Sequence, residues 1–317
     1  MPKLEVLPGN VGYLRLDMMP PLEVAKPTVD AAMMFLSNTD AMIIDVRDTP
    51  GGVGGFIPYL MSYYFEEPDK VLYTRYFGAE DRTEKYHTHK KLGGKRRPDV
   101  PLFVLTSRST GSAAENLSFT LKHHGRAETV GETTRGGGHS ATMVPLIDGF
   151  TATIPIADVI HPVTGKGFDG VGVLPSHKVA ASVALEQAHE LALEKLLTVA
   201  KSSAKASLQK TLDEVRAAKE LKKLGSRSEQ FLKSFVGNYG NRNVFFEAGK
   251  LRYQREGGPA VDLIPTGKDR FRLKTPAGVR SALALPDIRF DRDNEKNVVG
   301  FSLILDGKII ESVKLKK

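Results

Sequence analysis

Within the first 180 residues, short apolar runs alternate with helix-periodic stretches, and that rhythm excludes most folds. VGYLRL (11–16), AMIIDV (41–46), VPLFVLT (100–106) and AETVGE (127–132) are aliphatic or β-branched, and each is bounded by Gly, Pro or charge, as strands are. Between them VAKPTVDAAMMFLSN and AAENLSFTLKHHG space their apolar residues along one helical face, the second stopped by Gly125. Strand and helix at this spacing predict right-handed βαβ units on a mainly parallel sheet, an α/β fold.

The texture then changes twice. From residue 180 to Gly225 there is neither proline nor glycine, and Ala, Leu, Lys and Glu dominate, which predicts a helix broken near Lys201-Ser202-Ser203. Beyond residue 231, short alternating segments separated by Gly, Asp, Asn and Pro predict a small antiparallel β domain. Its hairpins are expected at Glu247-Ala248-Gly249-Lys250 and Leu305-Asp306-Gly307-Lys308. Three parts follow: a core over 1–180, a helical linker over 181–226 and a β-rich domain over 227–317.

Composition narrows the chemistry. The 317 residues contain no cysteine, so disulfides, thiolate zinc sites and a cysteine nucleophile are excluded, and covalent catalysis must use Ser, Thr, Lys or a carboxylate. A net charge of +8 raises the question of nucleic acid, but the basic residues of KKLGGKRR (90–97) and of the later helix come with no aromatic ladder or binding motif. They are expected to be solvated surface, with no nucleic-acid partner. No window reaches the roughly 18 apolar residues of a membrane span, and Met1-Pro2-Lys3 leads into mixed sequence, so a soluble chain is expected.

Three stretches could carry a reaction. In IIDVRDTPGGVGG (43–55) a strand ending in Asp45 and Arg47 runs into Gly51 and Gly52, whose loop frees backbone N–H groups to face a ligand or an oxyanion; a plain glycine turn is the simpler reading. In TSRSTGSAAE (106–115), Ser112 stands at the carboxyl end of a strand and the start of a helix, with Ala113 after it. Ser112 and Glu115 also spell a capping box, locally the stronger reading. VGETTRGGGHS (130–140) delivers His139 past three glycines, a loop histidine suited to general-base work. His161 is the second candidate base, and Asp169, flanked by glycine, could orient a base or simply make a turn.

Taken in order, IIDVRDTPGG, LTSRSTGSAAENLSFTLKHHGRAETVGETTRGGGHS and FDGVGVLPSHKV resemble the carboxyl-terminal processing (tail-specific) serine peptidases. The likeness covers about residues 8–180 and is closer to the branch with tricorn protease core-like domains and the repeats of interphotoreceptor retinoid-binding protein. It implies a crotonase/Clp-like ββα superhelix core. It also implies Ser112 as nucleophile, the Ala113 amide as half of an oxyanion hole, and the Gly51–Gly52 loop, preferably Gly52, as the other half. Asp169 matches the place of a catalytic glutamate in the tricorn-like branch. Polypeptide substrates, extended or unfolded, are implied; no metal or organic cofactor is.

Two departures stand out. The family's general-base lysine falls, in register from Ser112, at Gly137. The tricorn-like branch takes its histidine from a segment before the core and a PDZ-like domain, and this sequence begins close to the core. His139 is the first expectation for the base, with Asp169 orienting it; a base from a segment outside this sequence is the other. The alternative is a non-catalytic relative that binds a retinoid-like apolar ligand or a peptide; an acyl-CoA enzyme of the crotonase type is a weaker third, because that chemistry does not need Ser112. Exported members dominate the family, so a periplasmic or secreted location is expected if a signal precedes this sequence. Oligomeric state stays open. FVGNYGNRNVFFEAGKLRYQ is similar to the lipocalin-like barrel modules appended to bacterial serine hydrolases.

Overall fold

The structure is a computed structural model and describes residues 3–225, 229–267, 269–273, 286–305 and 308–316. The chain divides by packing into two units, Met1–Asp213 and Glu214–Lys317.

In the first unit β1 (Lys3–Leu7), β2 (Val11–Arg15), α1 (Leu22–Phe35), β3 (Ala41–Asp45), α2 (Phe56–Ser62), β4 (Val71–Phe77) and β5 (Arg82–His87) are followed by β6 (Leu102–Thr106), α3 (Ala113–His123) and β7 (Glu128–Gly131). Then come β8 (His139–Pro145), β9 (Thr151–Ile160), β10 (His177–Lys178) and α4 (Ala184–Val199). The main sheet has the order β1-β2-β3-β6-β7-β10, parallel except for the β1–β2 pair. Every residue of β3 and β6 is buried, because helices cover both faces. Met42, Ile44, Val46, Leu102 and Val104 pack with α1, α2 and α3, while α4 lies against β2, β3, β6 and β7. The four strands expected from the apolar runs are all present, and the mixed α/β core has the expected parallel sheet.

Of the stretch read as a linker, α4 packs on the sheet through Ala184, Ala188, Ala192, Leu193 and Leu196. α5 (Ser202–Gly225) follows after the expected break, and the division between the units falls inside it. Alanine suits a solvated helix and a close helix–sheet contact equally, so composition could not separate the two.

A second sheet of the first unit, β5-β4-β9-β8, was not visible in the sequence. Part of the basic stretch 90–97 is also tied down rather than solvated: Arg96 donates to Ser62 O at 2.6 Å and Arg97 to Leu36 O at 2.8 Å. Lys90, Lys91 and Lys95 are exposed, as expected.

Asp45, 2 % exposed, takes a bidentate bond from Arg47 (2.7 and 3.0 Å) and the Tyr13 hydroxyl at 2.6 Å. Burial opposes its ionisation, but the Arg47 bonds outweigh that and hold the carboxyl below the usual range. Arg47 also donates to Ala181 O, so this pair fastens the segment leading into α4 and is structural.

The second unit opens with the end of α5, then α6 (Glu229–Lys233), β11 (Gly237–Tyr239), β12 (Arg242–Glu247), β13 (Lys250–Arg255) and β14 (Ala260–Gly267). It continues with β15 (Arg270–Leu273), β16 (Asp287–Arg292), β17 (Val298–Leu305) and β18 (Lys308–Lys314). All eight strands pair antiparallel in chain order. A Tyr239–Leu315 bridge and a Lys316 N–H to Asn238 O bond at 2.8 Å join the last strand back to the first, as in an up-and-down barrel. The expected hairpin at 247–250 is there; that at 305–308 pairs Leu305 with Lys308, and its tip, 306–307, lies outside the described residues. Phe235, Tyr239, Phe271, Phe290 and Phe301 fill this unit's core.

Candidate active site

Strand β6 ends at Thr106 and the chain reaches Ser112 through a polar loop pinned to the sheet, with Thr110 Oγ1 donating to Val46 O at 2.8 Å. Ser112 then opens α3 with φ 50° and ψ −118°. A side chain in that region is strained by roughly 1–3 kcal/mol, and such strain persists only where neighbours over-determine the backbone. Here Glu115 does so. Its fully buried carboxylate accepts the Ser112 N–H (2.8 Å), the Gly136 N–H (2.5 Å), the Gly137 N–H (2.8 Å) and the Thr134 hydroxyl. The sequence assigned Glu115 only to a capping box; the fold makes it the tie between Ser112 and the loop after β7.

Ser112→Gly and Ser112→Ala both lose the hydroxyl, but only glycine relieves the backbone. Ser112→Gly is therefore expected to be the more stable of the two by about 1 kcal/mol, after allowing for the greater entropy glycine loses on folding. Parallel thermal melts of the two variants measure the difference; a Ser112→Gly variant melting no higher than Ser112→Ala would mean that any strain at this position is no larger than glycine's entropy cost.

The glycine loop lies against the serine. A Cβ at Gly51 would come within 2.7 Å of the Ser112 Cβ. Gly52 has φ 147°, and a Cβ there would meet Met19 O at 2.2 Å, so only glycine fits. The loop is held by Val53 N–H to Met19 O at 2.7 Å, an arrangement that leaves the Gly52 N–H without an acceptor among the described residues. The Ala113 N–H, first of its helix, has none either.

Gly52, Ser112, Ala113, Gly137, Gly138 and His139 share one pocket of about 420 Å³. Gly51 is buried and does not line it, and Asp169 touches it through His139 and Gly138. His139 begins β8, directly across from Asp158 on β9. Its Nδ1 lies 2.9 Å from Asp169 Oδ1 and its Nε2 2.7 Å from Asp158 Oδ1. Asp169 is anchored in turn by the Gly138 N–H at 2.8 Å, and a Cβ at Gly138 would fall 2.6 Å from the Asp169 nitrogen. Asp158, which the sequence reading did not single out, thus engages the ring nitrogen opposite Asp169. The unused signal was Leu146-Ile147-Asp148-Gly149-Phe150, a hairpin turn that brings β9 back along β8.

His161 does not line the pocket. It is fully buried beside Phe119, His123 and His124, with Nδ1 accepting the Val163 and Thr164 N–H groups at 3.3 Å each. Burial first, and the neighbouring His124 and His123 second, push its pKa down to about 4. At Gly137, the position that the resemblance gives to a lysine, a Cβ would lie 3.5 Å from Glu115 Oε2 and 3.8 Å from the Ser112 nitrogen, both ordinary contacts.

Residues 10–179 match peptidase family S41. The chain belongs to that family. Carboxyl-terminal-processing peptidase 1 (chloroplastic) of Arabidopsis thaliana is 28% identical over 171 residues, covering 53% of this chain and 33% of that protein. The carboxyl-terminal-processing protease of Synechocystis is 27% identical over 173 residues, covering 54% of this chain and 39% of that protein. The chain thus spans little more than a third of the length of these curated relatives. The fold is shared with a putative peptidase from Parabacteroides merdae, at a TM-score of 0.50 and 22% identity, over 61% of this chain and 64% of that one.

Proposed function

We propose that this chain is a serine peptidase acting on extended or unfolded polypeptide, with Ser112 as its nucleophile. The observation that carries the reading is the strained, exposed Ser112 at a helix N-terminus, with the unbonded N–H groups of Gly52 and Ala113 in the same pocket. The hydroxyl attacks the scissile carbonyl carbon, and those two N–H groups receive the developing oxyanion, helped by the α3 dipole. Because both donors are fixed before the reaction, they need no reorganisation in the transition state.

His139 takes the serine proton on Nε2 and returns it to the leaving amine, while Asp169 holds Nδ1. For that step Nε2 must leave Asp158 and carry a lone pair, so substrate entry has to displace or loosen this contact. Water then attacks the acyl-enzyme by the same route in reverse.

The full chain is expected to cleave unfolded casein, and Ser112→Ala to reduce the rate by about a thousandfold or more. Cleavage undiminished in Ser112→Ala would assign the chemistry to another group.

A further inference from the structure

The pocket is lined by a guanidinium, that of Arg75, which forms no salt bridge among the described residues. Arg75 lies on β4, an inner strand of the second sheet, between Glu84 of β5 and Val159 of β9. Other half-buried arginines of this unit are satisfied: Arg47 by Asp45, and Arg96, Arg97 and Arg126 by backbone carbonyls. Arg75 has no ion pair among the described residues, and its Nε, shut off from solvent, has no hydrogen-bond partner there. Glu84, its cross-strand neighbour, is committed to Arg82 and to the Tyr86 hydroxyl. Arg75 is only partly buried and lines the pocket, so the rest of its guanidinium is open to an acceptor that arrives with a ligand.

Its surroundings fix where that acceptor must sit. The Arg75 Cζ lies 4.8 Å above the Tyr86 ring, and its Nη2 is so close to the glycine loop that a Cβ at Gly54 would fall 2.2 Å from it. Tyr73, two residues earlier on the same strand face, is fully buried and does not line the pocket. Asn116 lines the pocket one helical turn beyond Ser112, and its Oδ1 is already taken by the Thr120 hydroxyl at 2.9 Å, which leaves its amide N–H groups for a ligand. Arg75 and Asn116 thus share the pocket with Ser112, while Ile57, Ile156, Val159 and Phe168 supply apolar wall.

We infer that Arg75, with the Asn116 amide, forms a receptor for a carboxylate of the substrate in the pocket that holds Ser112. The inference rests on the peptidase reading for its substrate class and gives Arg75 the role of a specificity-determining residue. In a pocket of about 420 Å³, a carboxylate on Arg75 leaves the reacting carbonyl roughly one or two residues away. The carboxylate is either the substrate's own carboxyl terminus, which would confine cleavage to the chain end, or an Asp or Glu side chain beside the scissile bond.

Binding to full-length Ser112→Ala tests this without turnover. Fluorescein-labelled Ala/Leu hexapeptides are compared by anisotropy: free acid against carboxyl-terminal amide, and, in the amide series, an internal Glu against Gln. One of the two pairs is expected to favour the carboxylate by about 10- to 100-fold, which identifies the source, and Ser112→Ala/Arg75→Gln to abolish the preference. Arg75→Lys should keep part of it, since the charge remains but the fork is lost. Equal affinities within both pairs, or a preference that survives Arg75→Gln, would overturn the inference. Carboxylate preference in Ser112→Ala together with a wild-type chain that cleaves nothing would instead remove the peptidase reading and leave the receptor standing.

Discussion

Glu115→Ala is expected to lower the melting temperature of the first unit by on the order of 10 °C and to abolish hydrolysis. The carboxylate is fully buried and accepts three backbone N–H groups and one hydroxyl, from Ser112, Gly136, Gly137 and Thr134. Removing it strands those donors away from water, at a cost of roughly 3 kcal/mol or more; for a unit of this size that corresponds to the quoted shift. Glu115→Gln should fall between, because it keeps the volume and one acceptor oxygen but turns an NH₂ toward N–H groups. Thermal melts followed by circular dichroism, beside casein cleavage, measure both effects. A Glu115→Ala protein melting within about 1 °C of wild type would show that the carboxylate does not hold the serine loop.

The second large effect concerns the base. His139→Ala is expected to reduce the rate by about 10²- to 10⁴-fold, the usual worth of a positioned general base. Gly137→Lys in that background is then expected to recover at least about tenfold. The Cβ has room at 3.5 and 3.8 Å from its nearest neighbours, the backbone at 137 is not left-handed, and the new side chain starts beside Ser112. Glu115 lies close enough to attract the lysine, so recovery should appear mainly at alkaline pH, where the amine is neutral. Steady-state rates on one peptide across pH 7–10 check this. Unchanged activity in His139→Ala would move the base to another residue; absence of rescue would separate position 137 from the proton path.

What could be read in advance follows the range of the interactions. Buried parallel strands such as AMIID and LFVLT declare themselves through continuous apolar residues, and Gly125 marks a helix end. The candidate nucleophile and its glycine loop were legible because each occupies a single stretch with its own local geometry. Glu115 was legible only as a cap, since its other three partners arrive from residues 134–137 through the fold. The β8–β9 hairpin escaped notice because most of its residues are exposed and give no period-two burial signal, and with it went Asp158. Arg75 was one cation among many; only its missing partner sets it apart, and a missing partner is a property of the folded chain.

The central claim is that Ser112 is a nucleophile in an oxyanion site, and one measurement addresses it directly. The full chain is treated with a fluorophosphonate and its intact mass and modified peptide are read by mass spectrometry. The expected result is a single adduct on Ser112 in wild type and none in Ser112→Ala. A wild-type chain that takes up no label, or takes it up elsewhere, would contradict the account.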